Sequence, residues 1–190
     1  MTCFWWIRHG PTHAKSMIGW TDLPADLSDQ AQIDRLSAYL PKAAPVVSSD
    51  LLRARQTADA LQAGRVRLPH QAALREMHFG AWENRRYDDI AQTDPVLAAK
   101  FWQEPGDIAP PGGESWHMLS DRVAQAAQAL IGTAPHIIVV AHFGAILSQV
   151  QRARGITIQE SFAQPIDNLS LTRIEFTGTE WQLHEVNHSV

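Results

Sequence analysis

Three short stretches of this 190-residue chain carry side chains suited to one kind of chemistry. Arg8-His9-Gly10 follows the apolar run CFWWI, and His142 follows the apolar run IIVVA. Arg53 falls in the first turn of a helical pattern after VVSS. A guanidinium presents a planar fork of N–H donors that fits two oxygens of one anion. A neutral imidazole offers a nucleophilic nitrogen. Arg and His converging on one point would hold and attack a dianion such as a phosphoryl group, with the positive charge supplied by side chains. Singly, each residue has a plainer reading. A histidine at a strand end is commonly structural, and an arginine in a first helical turn is a solvated charge that opposes the helix dipole. The plain reading weakens because separate strand ends deliver them. In open α/β sheets, ligands bind in the crevice outside the carboxyl ends of the strands.

The elements that must position these residues alternate between short apolar runs and helical patterns, the mark of an α/β domain with a largely parallel sheet. Residues 3–7 read as a buried first strand. Ser28 is expected to cap a helix to about residue 40, with Ile33, Leu36 and Leu40 on one face and Pro41 and Pro45 ending it. Residues 46–49 form a second strand, and Asp50 is expected to cap the helix after it, with Leu51, Ala54, Ala58 and Leu61 inward. Residues 66–68 read as a short strand. Residues 70–113 hold Pro95, Pro105, Pro110, Pro111 and Gly112-Gly113, and read as an inserted loop with short helices near 86–92 and 94–103. Ser115 caps a helix to about 131, residues 137–141 are the clearest central strand, and a helix follows from 144 to about 154. Residues 169–176 and 180–187 alternate around Gly178, a closing hairpin. No linker interrupts the pattern, so one domain over 1–190 is expected.

Composition removes several classes. No apolar run nears the ~20 residues of a membrane span. The opening MTCFWWIRHG lacks the basic segment, apolar stretch and cleavage site of a secretory signal, so a cytoplasmic location is expected. The lone cysteine, Cys3, allows neither an internal disulfide nor a CxxC knuckle. A net charge of −4 argues against nucleic-acid binding, which needs a basic face. Nucleotide-binding loops of the GxxxxGK[ST] and GxGxxG types are absent. The 16 basic residues divide into 13 Arg and 3 Lys, and nine His accompany them, so positive charge could be gathered in one place despite the acidic average.

The motifs match a known family in order. Arg8-His9-Gly10-Pro11-Thr12 resembles the RHGxT signature of the histidine phosphatase superfamily, in its phosphoglycerate mutase-like branch. The stretch from Ser48 to Ala58 resembles its SS-x-L-x-R-A-x-Q-T-A segment, and that from Leu74 to Glu83 its L-x-E-x-x-F-G-x-W-E block. Gly112-Gly113-Glu114-Ser115 resembles its GGES turn, and Val139 to Gly144 its V-V-S-H-G-G strand end. The resemblance implies a three-layer α/β/α sandwich with a mostly parallel central sheet. It implies that His9 takes the phosphoryl group, that Arg8 and Arg53 clamp its oxygens, and that His142 completes the pocket. The neighbouring Arg residues help keep His9 neutral, since like charge disfavours imidazolium. Glu76 matches the general acid, which must hold a proton for the leaving alkoxide. Phe79 and Trp82 could desolvate it, although core packing is the plainer reading of Trp82. Glu83 is the competing carboxylate and ranks second. Glu114 is expected to order an active-site Arg. His9, Glu76 and His142 thus form the expected catalytic set, and Arg8, Arg53, Thr12, Lys15, Glu114 and Phe143 the substrate- and phosphate-binding set. No metal or cofactor is implied.

Three departures bear on the substrate. Lys15 stands where the family often has Asn, Phe143 replaces the first Gly after the second His, and Asn84-Arg85 replace Gly-Arg. His13 and His78 adjoin motif residues; the remaining histidines are read as ordinary. Only 28 residues lie between Asn84 and Gly113, so hydrolysis of a small phosphorylated metabolite is favoured over mutase activity. The block from Glu76 to Asn84 is also similar to that of α-ribazole-5′-phosphate phosphatases. A phosphoglycerate mutase is the alternative, and a non-catalytic phospho-ligand-binding module the reading from another class. A degenerate binder would be expected to lose His9 or Glu76, and both are present. No membrane or nucleic-acid partner is expected, and a homodimer is left open.

Overall fold

The computed structural model describes all 190 residues. Five strands form one sheet in the order β2-β3-β1-β4-β5. These are β1 (Thr2–Arg8), β2 (Val46–Ser48), β3 (His136–Ala141), β4 (Leu171–Phe176) and β5 (Trp181–His188). β1 and β2 each pair parallel with β3, β4 pairs antiparallel with β1, and β5 antiparallel with β4. The sheet is therefore mixed, with a parallel core and only β4 reversed.

Burial on both faces explains the continuous apolar run in β3. Its side chains alternate. Ile137, Val139 and Ala141 join one core with Phe4, Trp6 and Val47; Ile138 and Val140 join the other with Ile7 and Val46. The first core is closed by α5 (Trp116–Leu130) and α6 (Phe143–Arg154), the second by α1 (Gln30–Tyr39) and α2 (Leu52–Leu61). These are the three layers. Between α2 and α5 lie two short 3-10 turns, at Ala72–Leu74 and Gly80–Trp82, and the helices α3 (Tyr87–Thr93) and α4 (Pro95–Gln103). Ile90, Ala98 and Phe101 dock this insertion onto the α5 side, where Trp82 is fully buried edge-to-face against Phe101.

The local capping signals were only partly right. Ser115 does cap α5, accepting from Met118 N–H. Ser28 does not cap α1: Asp29 does, accepting from Gln32 N–H, while Ser28 N–H donates to Asp26. Asp50 does not cap α2 either; both its oxygens accept from Arg75, at 2.7 and 2.6 Å. The Leu52 N–H is taken instead by Asp22, from a loop 30 residues away in sequence. Residues 66–68 make a single parallel bridge, Val46 to Arg67, in place of a strand. A short helix, α7 (Ile158–Ser161), lies outside the expected elements, with Thr157 and Glu160 forming its capping box.

Topology places the site. β1 leads to α1 on one face and β3, its neighbour, leads to α6 on the other. The crevice between their carboxyl ends is the switch point of the sheet.

Candidate active site

The β1–β3 register sets Arg8 opposite Ala141, so the next residues, His9 and His142, leave the sheet side by side. Their ring centroids lie 5.0 Å apart. His9 is fixed from several directions. Its Nδ1–H donates to Gly10 O at 2.7 Å, since a carbonyl can only accept. That leaves Nε2 unprotonated, and its lone pair accepts from Arg53 Nε–H at 3.2 Å. The Gly10 N–H donates to Thr57 Oγ1, whose hydroxyl donates to Arg53 O. Asn168 Nδ2 donates to His9 O at 2.7 Å.

Arg53 is 1% exposed. Burying a guanidinium is costly unless its donors are met. Here Nη1 donates to Thr21 O and Nη2 to Gly19 O, at 2.9 and 2.6 Å. Arg8 Nη1 donates to Ile166 O at 2.7 Å, while its Nε is buried without a partner. Burial lowers the pKa of both guanidiniums, against the Glu76 charge, which favours the cation. For His9, burial first, then Arg53 and, more weakly, Arg8, outweigh the Gly10 bond and lower its pKa from 6.5 to about 3. His142 is wholly buried and driven the same way, by burial and then by His9, Arg53, Arg122 and Arg8. Both imidazoles are thus neutral at pH 7, and neither ring nitrogen of His142 has a partner within the protein. An anion arriving here meets orphaned polar groups and two guanidiniums.

Glu76 faces this pocket from the insertion. Its Oε2 accepts from Gly144 N–H, in the first turn of α6, at 3.0 Å, and its Oε1 from Met77 N–H at 2.9 Å. A methyl group on Gly144 would stand 2.5 Å from Glu76 Oε1, so glycine is needed for this approach. Each oxygen keeps a second lone pair for a proton. Glu83 is different: Thr21 Oγ1 donates to it, and so do the N–H groups of Gly19, Trp20, Thr21 and Phe79. Burial would push the Glu83 carboxyl up, but the bonds from Thr21, Trp20, Phe79 and Gly19 prevail and hold it below its ordinary range. Glu83 stays ionised and ties down the loop whose carbonyls hold Arg53.

The remaining expected residues divide. Glu114 does not reach the phosphate pocket. It accepts two bonds from Arg122, at 2.8 and 2.7 Å, and one from His78 N–H. Arg122 in turn donates to the carbonyls of Ala73, Arg75 and Glu76, so the pair acts on the backbone that carries Glu76. Phe143 lies under the Arg8 guanidinium, 5.5 Å from ring centroid to Cζ. Lys15 is exposed and Thr12 half-buried, and neither side chain is tied to another residue. His13 pairs with Asp26 at 2.8 Å, and His78 packs against Trp20, 4.4 Å between centroids with the rings tilted by 44°. Beyond Glu76 opens a cavity of about 290 Å³, lined mainly by apolar side chains. No three His, Cys, Asp or Glu side chains converge to hold a metal ion.

The family model for the histidine phosphatase superfamily, branch 1, matches residues 4–189. The chain belongs to the histidine phosphatase superfamily. Among curated relatives, a probable phosphoglycerate mutase of Salmonella paratyphi C is 26% identical over 185 residues, covering 92% of this chain and 85% of that one. Among solved structures, Bacillus stearothermophilus YhfR superposes with a TM-score of 0.89 at 27% identity, covering 100% of this chain and 98% of the other. A mycobacterial glucosyl-3-phosphoglycerate phosphatase gives 0.85 at 26%, with all of both chains covered. A putative α-ribazole-5′-phosphate phosphatase of Escherichia coli K-12 gives 0.85 at 25%, covering 100% and 97%. The chain is accordingly an enzyme of the histidine phosphatase superfamily with phosphatase activity, in the α/β fold of that family.

Several supports of this histidine phosphatase pocket leave no signal in the sequence. Trp20 Nε1 donates to Glu76 O at 2.8 Å, beside the Arg122 bond to the same carbonyl. The turn at 166–169 brackets the end of β1: Ile166 O holds Arg8, Asn168 holds His9, and Leu169 N–H donates to Arg8 O with φ +59°. None has a local pattern that betrays it, because each acts on a residue at least 46 positions away. No helix of the protein is long and apolar enough to cross a membrane.

Proposed function

We propose that this enzyme hydrolyses small phosphate monoesters in the cytoplasm through a phosphohistidine formed on His9. The state of His9 supports it most. The Gly10 carbonyl claims Nδ1–H, and burial beside two guanidiniums keeps the ring neutral, so Nε2 is unprotonated; its lone pair is freed for phosphorus when a phosphoryl oxygen takes over the Arg53 Nε–H that it accepts from. Nε2 attacks phosphorus in line with the ester oxygen, and the P–N bond forms as the P–O bond to the alcohol breaks. The Arg8 and Arg53 guanidiniums hold the equatorial oxygens, and a ring N–H of His142 meets one of them. Glu76 gives its proton to the departing alkoxide. Its carboxylate then takes a proton from water. The resulting hydroxide displaces His9 from phosphorus, releasing inorganic phosphate and restoring both residues.

Hydrolysis is preferred to mutase chemistry because only two short helices, α3 and α4, fill the insertion that would otherwise extend sugar-phosphate recognition. The test is His9→Ala on a para-nitrophenyl phosphate assay. Turnover should fall by at least ~1000-fold. Acid-labile labelled phosphate, trapped on the parent enzyme from substrate, should be absent from the variant, and both proteins should unfold at similar temperatures. Because the pocket charge comes from arginine, parent turnover should persist in EDTA. A variant that still turns over at the parent rate would remove His9 as nucleophile.

A further inference from the structure

We infer that the cavity beside Glu76 is a leaving-group pocket that selects uncharged aromatic or apolar alcohols and rejects carboxylated ones. The inference rests on the phosphatase reading above, since it assigns the cavity to the alcohol side of the ester. Glu76 and Gly144, both buried, are among its lining residues. The acid that protonates the ester oxygen must touch it, so the group carried by that oxygen is what the cavity holds. The walls are Phe101, Trp102, Ile108, Trp116, Phe143 and Phe162. Their rings are braced: Phe101 meets Trp102 edge-to-face at 4.9 Å, and Trp116 meets Phe162 edge-to-face at 5.1 Å.

Charge decides what these walls accept. No Lys, Arg or His lines the cavity, and Glu76 is its one acidic group. A carboxylate on the leaving alcohol would lose water against aromatic rings, with no cation among the lining residues to answer it. Phe143 marks the boundary. Its ring lies under the Arg8 guanidinium and also lines the cavity, so it adjoins both the cationic cradle and the apolar chamber. At the rim, Trp102 and Phe162 remain 40% and 36% exposed. Large aromatic surface left open around a concave site is the usual mark of an apolar ligand. Lys15, a cation near the signature motif, is not among the lining residues. A phosphoglycerate, whose alcohol bears a carboxylate, is the excluded case.

The experiment compares para-tolyl phosphate with para-(carboxymethyl)phenyl phosphate. Their phenols are nearly equal in basicity, so the demand on Glu76 is the same and only the remote charge differs. kcat/KM for the tolyl ester should be higher by about tenfold or more. Ile108→Lys should shrink that preference by about tenfold, chiefly by improving the carboxylated ester. Phe162→Lys, at the rim, serves if the first variant does not fold. Equal rates on the pair, or preference for the carboxylated ester, would overturn the pocket while leaving the phosphatase reading intact. If His9→Ala hydrolyses both esters like the parent, the phosphatase reading fails instead. The pocket is then judged by calorimetric binding of para-cresol against para-hydroxyphenylacetate, where cresol should bind more tightly and equal affinity would refute it.

Discussion

Two glutamates in one sequence block receive opposite tasks from their hydrogen bonds. Glu83 accepts from five donors and is held ionised as a tether. Glu76 accepts from two and keeps lone pairs facing the pocket. The consequence is measurable. Glu76→Gln should slow an alkyl phosphate by about 100-fold or more and an activated aryl phosphate far less, because a good leaving group needs little protonation. Equal losses on both esters would move the acid elsewhere. The histidines divide in the same residue-level way. His9 and His142 are enclosed beside arginine and neutral, while His13, His117 and His184 sit in partly exposed pairs with Asp or Glu.

At the scale of elements, the site is a meeting of ends. β1 delivers Arg8 and His9, β3 delivers His142, the first turn of α2 delivers Arg53, and the start of α6 meets Glu76. None of these ends is self-sufficient. Asp22 takes an N–H of α2, and Glu76 takes one of α6, so tertiary carboxylates do the work a local cap would do. The loop 19–21 is the least obvious part: Glu83 gathers its N–H groups and its carbonyls grip Arg53. Glu83→Gln replaces acceptor capacity with an NH₂ that faces N–H donors. It should lower stability by roughly 1–3 kcal/mol in urea unfolding. It should also reduce kcat/KM about tenfold on alkyl and aryl esters alike, as Arg53 loosens. A loss confined to alkyl esters would instead make Glu83 an acid.

Over the whole molecule, the net charge of −4 and the cationic pocket coexist because the pocket is small and enclosed. Enclosure has a thermodynamic signature. The folded pKa of His9, about 3, lies below its ordinary 6.5, so between those values the unfolded chain binds a proton that the native state refuses. The stability associated with neutral His9 is complete above pH 6.5 and is lost as pH falls toward 3. His142 acts in the same direction. His9→Asn, which cannot titrate, should flatten the fall of unfolding free energy by up to about 1.4 kcal/mol per pH unit over that window. Urea titrations at a series of pH values would show it, and an unchanged slope would mean that native His9 protonates normally.

The apolar runs and their periods determined the five strands of the sheet and the main helices, because burial on one or both faces leaves a local imprint. β3 reads as a buried strand from IIVVA alone, and α5 from its stripe and Ser115. The strand ends and helix starts singled out Arg8, His9, Arg53 and His142 as candidates, and the family resemblance of the ordered motifs added Glu76. Tertiary structure decided which carboxylate is free, since Glu76 and Glu83 differ only in donors drawn from distant loops. It decided that Asp29 and Asp22, not Ser28 and Asp50, cap α1 and α2, because capping depends on how the chain enters a helix. It also brought Trp20, Arg122 and the 166–169 turn to the site. Long-range hydrogen bonds need no spacing rule within the sequence; they arise only when the sheet has closed and its strand ends share one crevice.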